Sequence, residues 1–122
     1  MHRIMLSYPL YGESMDILKN ETELFVSNSG EIGPYIEQLQ RADAFITRNV
    51  FVNTEILKQC PNLKVIGLPG VGYHNWDLAS MTDMGMAMVY CPSTNMRSVA
   101  EHAVAMALTI TKNIPYQNEQ VK

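Results

Sequence analysis

The stretch PNLKVIGLPGVGYHNWD, residues Pro61 to Asp77, is an apolar run that ends in three glycines within six positions, Gly67, Gly70 and Gly72. A short run rich in β-branched residues and bounded by proline and glycine reads as a buried strand, here Lys64 to Leu68, with the glycines forming the loop that leaves it. Working outward, runs of the same kind recur at Arg3 to Leu6, Leu24 to Ser27, Ala44 to Thr47 and Ala87 to Tyr90. Amphipathic segments of helical length separate them, at Ser14 to Asn20, Ile32 to Arg41, Thr54 to Gln59 and Leu78 to Met84. Thr54 and Asp77 stand where N-caps belong. Strands alternating with helices give an α/β class, a five-stranded parallel sheet with flanking helices.

Composition narrows the function. At 122 residues and 47% hydrophobic content the chain has the size of one domain and enough apolar mass for a core. Nine basic residues are scattered along a chain of net charge −3, so neither nucleic acid nor an anionic membrane is an expected partner. No window approaches a membrane-spanning length, and MHRIMLSYPL is broken by Pro9, so the reading is a soluble, cytoplasmic protein. The two cysteines, Cys60 and Cys91, lack disulfide or metal spacing and read as reduced, mostly buried thiols. Met81, Met84, Met86 and Met88 read as fillers of core gaps.

A fifth helix is expected from Met96 to Lys112, stopped by Ile114-Pro115 and followed by the polar tail YQNEQVK. Val99, Ala100, Ala103, Val104, Met106, Leu108 and Ile110 run nearly all the way round it, the pattern of a helix buried on every side. A single sheet covers only one side, so the helix calls for another domain or a second copy of the chain.

The loop itself has the spacing G-x-x-G-x-G, the reverse of the dinucleotide fingerprint, and Tyr73-His74-Asn75-Trp76 replaces a glycine-assisted helix start. Successive amides at Gly70, Val71 and Gly72 can turn inward as a concave anion site sized for a carboxylate. The competing reading is an ordinary tight turn. His74 and His102 have no carboxylate at useful spacing and read as surface residues. Adjacent Glu101 and His102 cannot face each other on a helix.

The segments ADAFITRN, PNLKVIGLPGVGYHNWDL and NMRSVAEHAVAMAL followed by KNIP resemble, in order and spacing, three signatures of the D-isomer-specific 2-hydroxyacid dehydrogenases, the family that includes 3-phosphoglycerate dehydrogenase. The resemblance runs from about Ala42 to Pro115. It implies a flavodoxin-like substrate domain at 1–94, an interdomain helix at 95–115 that opens a missing Rossmann domain, and a tail at 116–122. It implies that Val71 and Gly72 hold the carboxylate of a small 2-keto or 2-hydroxy acid and that Asn95 faces it. It further implies that Arg48 reaches the far end of the substrate, that Val71 and Val99 touch the nicotinamide side of the cleft, and that NAD is the cofactor.

The chain departs from the family pattern at Leu68-Pro69, where arginine and alanine are usual, and at Tyr73-His74. Proline removes one amide from the anion cup. The family's catalytic arginine, glutamate and histidine, and its G-x-G-x-x-G, have no counterparts in these residues, so no catalytic residue is assigned and the isolated chain is expected to be inactive. The alternative function is a stand-alone carboxylate-binding or dimerisation module, with the apolar helix joining a homodimer. Two other folds of similar rhythm fall away: SYP and TRN lack the acidic residues of a receiver domain, and SYPLYGES lacks the hydroxyl-rich phosphate loop of a flavodoxin.

Overall fold

In the computed structural model, which describes residues 1–27 and 31–122, the chain divides into two compact units, Met1–Pro92 and Ser93–Lys122. The first unit carries a five-stranded parallel sheet in the order β2-β1-β3-β4-β5, with β1 at Arg3–Leu6, β2 at Glu23–Val26, β3 at Ala44–Ile46, β4 at Val65–Leu68 and β5 at Ala87–Tyr90. This is the flavodoxin-like strand order, whose direction of winding reverses between β1 and β3. The helices are α1 (Glu13–Glu21), α2 (Ile36–Arg41), α3 (Thr54–Leu57) and α4 (Leu78–Asp83).

Strand register explains the core. Met5, Phe25, Phe45, Ile66 and Met88 occupy one level across all five strands and, by the two-residue period of a strand, one face. Phe45, Ile66 and Met5 are fully buried there with Leu39 of α2, Leu57 of α3 and Met81 of α4. Burying each such side chain contributes about 1.5–3 kcal/mol. The methionines behave as gap-fillers: Met81 and Met86 are buried, and Met84 and Met88 pack against the same cluster. Gly67 serves packing too, since a Cβ on it would lie 3.3 Å from Cγ1 of its cross-strand partner Ile46. The opposite face is barer toward β5, the edge strand, where Val89 is 60% exposed.

Several local expectations change. The segment expected as one helix from Ile32 begins as a tight 3-10 turn, Gly33–Tyr35, with Pro34 in its first turn, before α2. The N-cap of α3 is Asn53 and not Thr54: Oδ1 of Asn53 accepts from the Ile56 amide at 2.9 Å, while the Thr54 hydroxyl turns to Asp77. Asp77 caps α4 as expected, accepting from the Ser80 amide at 3.1 Å. Cys60 is buried, and burial raises its thiol pKa; Cys91, expected to be buried as well, is exposed just beyond the edge strand.

The second unit is helical. Here α5 runs from Met96 to Thr111, and α6 from Ile114 to Gln120 takes up most of the segment read as a polar tail. Pro115 does not stop structure there. Asn113 takes a left-handed conformation that breaks α5, and proline in the first turn of α6 forfeits only an amide that has no helical acceptor. No residue of α5 is buried, so the apolar girdle of Val99, Val104, Leu108 and Ile110 stands exposed. Arg97 and Glu101 pair along its surface at 2.9 Å.

The reassigned cap gives a direct test by urea denaturation. Asn53→Ala should cost about 1 kcal/mol, the usual value of a lost N-cap. Thr54→Ala should stay within about 0.5 kcal/mol of the native chain, as surface changes do.

Candidate functional site

The parallel sheet delivers the ends of β1, β3 and β4 to one edge of the first unit. Their last shared level is Leu6, Ile46 and Gly67. One residue further, the Ser7 amide donates to the Ile46 carbonyl at 3.0 Å and the Thr47 amide to the Gly67 carbonyl at 2.9 Å. Buried Thr47 then closes a turn with its hydroxyl, donating to the Val50 carbonyl at 2.7 Å and accepting from the Val50 amide at 3.2 Å. Arg48 and Asn49 lie inside that ring and are driven outward by it. The Arg48 amide is anchored to the hydroxyl oxygen of buried Ser7 at 3.4 Å. Among the described residues its guanidinium has no ion-pair partner.

Two cavities open beside Arg48, and both are lined by Arg48 and Asn49. One, of about 350 Å³, is walled by Val50, Phe51, Leu68, Gly72, His74, Asn75 and Trp76. The other, of about 610 Å³, lies between the loop Ser7–Ser14 after β1, the end of β3, and Pro69. Aromatic contacts fix the smaller one. Phe51 and Trp76 meet edge to face with centroids 5.3 Å apart, joining the loops after β3 and β4. Tyr73 packs on Tyr90 at 4.9 Å, and the Cys91 amide donates to the Gly70 carbonyl at 2.9 Å, tying the glycine loop to the end of β5. Asp77 holds the far end of the loop; its carboxyl pKa is lowered chiefly by the Ser80 hydroxyl it accepts from.

The glycine loop departs from the expected cup of three amides. Pro69 makes the centre of a three-residue turn in which the Gly70 amide donates to the Leu68 carbonyl at 2.8 Å, so Gly70 offers nothing to a ligand. Among the described residues the amides of Val71 and Gly72 meet no protein acceptor. Neither Gly70 nor Gly72 takes positive φ, and a Cβ on either would meet no atom within 4 Å. Nothing inside the chain therefore demands glycine at these two positions, and the space beside each is open.

The structure thus brings Arg48 and Gly72 to one cavity, with the exposed Val71 beside them in sequence. Asn95 and Val99 belong to the second unit, where Asn95 precedes α5 without a capping bond from its side chain and Val99 is exposed. Sequence reading did not single out Asn49 or Asn75, and it weighed the loop Ser7–Ser14 only as a phosphate loop and set it aside. It set His74 aside as a surface residue; it is exposed, yet it lines the smaller cavity. Its place two residues after Gly72 was the available signal. No cluster of three metal-ligating side chains occurs among the described residues. None of their helices is long and apolar enough to cross a membrane.

The Thr47 ring is open to test. Thr47→Val keeps the shape but strands the Val50 amide and carbonyl; it should lower stability by about 1–3 kcal/mol in urea melts. Thr47→Ser should restore most of the loss.

Residues 4–118 match the family profile described as D-isomer specific 2-hydroxyacid dehydrogenase, catalytic domain. D-3-phosphoglycerate dehydrogenase of Archaeoglobus fulgidus is 31% identical over 122 residues, covering 98% of this chain and 23% of that protein. The enzyme of the same name from Synechocystis is 32% identical over 123 residues, covering 100% of this chain and 22% of that protein. The chain therefore spans under a quarter of the length of these curated relatives. The fold matches the crystal structure of D-lactate dehydrogenase from Aquifex aeolicus complexed with NAD and lactic acid, with a TM-score of 0.81 at 24% identity over 99% of this chain and 37% of that one. It also matches NAD-dependent formate dehydrogenase from Staphylococcus aureus in complex with NAD, with a TM-score of 0.78 at 22% identity over 98% and 41% of the two chains. A parallel sheet wound in the order 2-1-3-4-5, and a family match over nearly its whole length, make this chain a member of the D-isomer-specific 2-hydroxyacid dehydrogenase family, carrying its catalytic domain.

Proposed function

We propose that the chain is the substrate-holding part of an NAD-dependent D-2-hydroxyacid dehydrogenase, with residues 1–94 as substrate lobe and 95–115 as interdomain helix. The smaller cavity is where the acid binds. The amides of Val71 and Gly72 hold its carboxylate and Arg48 takes the opposite end; Asn95 is a substrate-facing candidate by family resemblance. One observation carries the reading: two glycines that the chain's own packing does not require stand beside amides without protein acceptors, on a cavity that also presents an unpaired guanidinium. A guanidinium offers a planar fork to a carboxylate, and charge-assisted bonds are the stronger class.

For the whole protein we propose that a 2-oxo acid, NADH and a proton give the D-2-hydroxy acid and NAD. These 122 residues hold no G-x-G-x-x-G to seat a pyrophosphate, so they do not fit NAD by themselves. Val71 and Val99 supply apolar contact on the nicotinamide side of the cleft. What this lobe does by itself is bind and orient the acid.

Binding and turnover should separate in the isolated chain. It should oxidise no NADH with pyruvate, glyoxylate or hydroxypyruvate, while calorimetry should detect carboxylate binding. Steady turnover would overturn the division of labour. Gly72→Ala should leave the urea midpoint unchanged, because its Cβ meets no protein atom, and yet abolish that heat. Arg48→Gln should weaken binding by about tenfold or more, the value of a charge-assisted bond.

The exposed apolar residues of α5 favour a homodimer of the isolated chain through this helix, the second reading of its role. Sedimentation velocity should show a dimer at tens of micromolar that dissociates in Leu108→Glu. A monomeric native chain would refute it.

A further inference from the structure

The cavity of about 610 Å³ has more room than a three-carbon acid fills. We infer that it seats the side chain of the ligand, an aromatic or branched aliphatic tail on a 2-oxo acid. This rests on the carboxylate reading of Val71 and Gly72 given above. The loop Ser7–Ser14 that walls the cavity holds no charged residue except Glu13.

The walls are of the right kind. Tyr8, Leu10 and Tyr11 from the first loop face a cavity closed by Ile46 and Pro69, and Tyr8 and Tyr11 are 37% and 88% exposed. Ser7 is buried, with its amide spent on Ile46 and its hydroxyl oxygen accepting from the Arg48 amide, so the polar groups of this wall are Asn49, Arg48, Ser14 and the Ser7 O–H. Pro9 restricts the loop, and Gly12 turns it at φ 65° into α1. The cavity sits where the winding of the sheet reverses, the position at which open α/β sheets take their ligands, and its volume is within the ordinary range for a small-molecule site.

Arg48 joins the two compartments. With the carboxylate held by the amides of Val71 and Gly72, the face of the guanidinium can receive an aromatic ring in the larger compartment. This lobe by itself offers little to a second strongly anionic group. Arg48 is the one Lys or Arg lining either cavity, and the first turn of α1, which contributes Ser14 to the wall, carries Glu13 and Asp16. On this lobe a phosphate of about −1.5 to −2 would meet one guanidinium and the two carboxylates of the adjoining turn of α1.

The full chain, labelled with nitrogen-15, can be titrated with pyruvate, phenylpyruvate and 3-phosphohydroxypyruvate while amide shifts are followed. All three acids should move Val71 and Gly72, but only phenylpyruvate should also move the amides of Ser7 to Ser14, and it should bind about tenfold or more tightly than pyruvate. Tyr8→Ala and Ser14→Trp, one removing a wall and one filling the space, should each lower the ratio of those two affinities. Phenylpyruvate that moves only the glycine loop, with no gain in affinity, overturns the tail site and leaves the carboxylate site standing. Preference for the phosphorylated acid, with shifts at Ser7 to Ser14, overturns the apolar assignment. If none of the three moves Val71 or Gly72, the carboxylate reading falls and this inference with it.

Discussion

A parallel ladder allows its strands to end in only one way. All of them point the same direction, so their carboxyl ends and the loops that follow collect on a single edge, and what the chain does chemically is confined there. In this protein the constraint acts through one level of the sheet, Leu6, Ile46 and Gly67. Beyond it the chain leaves β1, β3 and β4 within hydrogen-bonding reach of one another, as the Ser7-to-Ile46 and Thr47-to-Gly67 bonds show. Shifting one strand by a residue would turn its core face outward and move its loop away from the other two.

Rigidity at that edge comes from small polar groups. The Thr47 hydroxyl satisfies both the amide and the carbonyl of Val50 and so forces Arg48 and Asn49 out of the turn. Buried Ser7 then holds the Arg48 amide. A charged side chain on a flexible stem is thereby fixed at its root, which lowers the entropy lost when it meets an anion. Phe51 against Trp76 and Tyr73 against Tyr90 do the same for the loop after β4, using apolar area in place of hydrogen bonds.

Pro69 shows how one residue redistributes donors. By turning the chain so that the Gly70 amide closes on the Leu68 carbonyl, it removes one amide from a run of three and leaves Val71 and Gly72 as the available pair. The glycines that remain have no steric reason to be glycine inside this chain, in contrast to Gly67, which packs against Ile46.

Local chemistry determined much of this protein. Short apolar runs rich in β-branched residues placed all five strands to within a residue or so, and the segments from Ala42 onward placed the chain in its family. The apolar girdle of α5 was also legible, since residue type alone sets it. Other features needed the tertiary structure, because they depend on which groups compete for the same partner. Asn53 is the cap because its backbone is extended and Thr54 already lies in the helix, and the Thr54 hydroxyl is turned toward Asp77 of a different helix. The Gly70 amide is lost to a turn that spacing cannot reveal. The loop Ser7–Ser14 meets Arg48 and Pro69 only because β1 lies next to β3, and adjacency in a sheet is set by long-range pairing that no local pattern encodes.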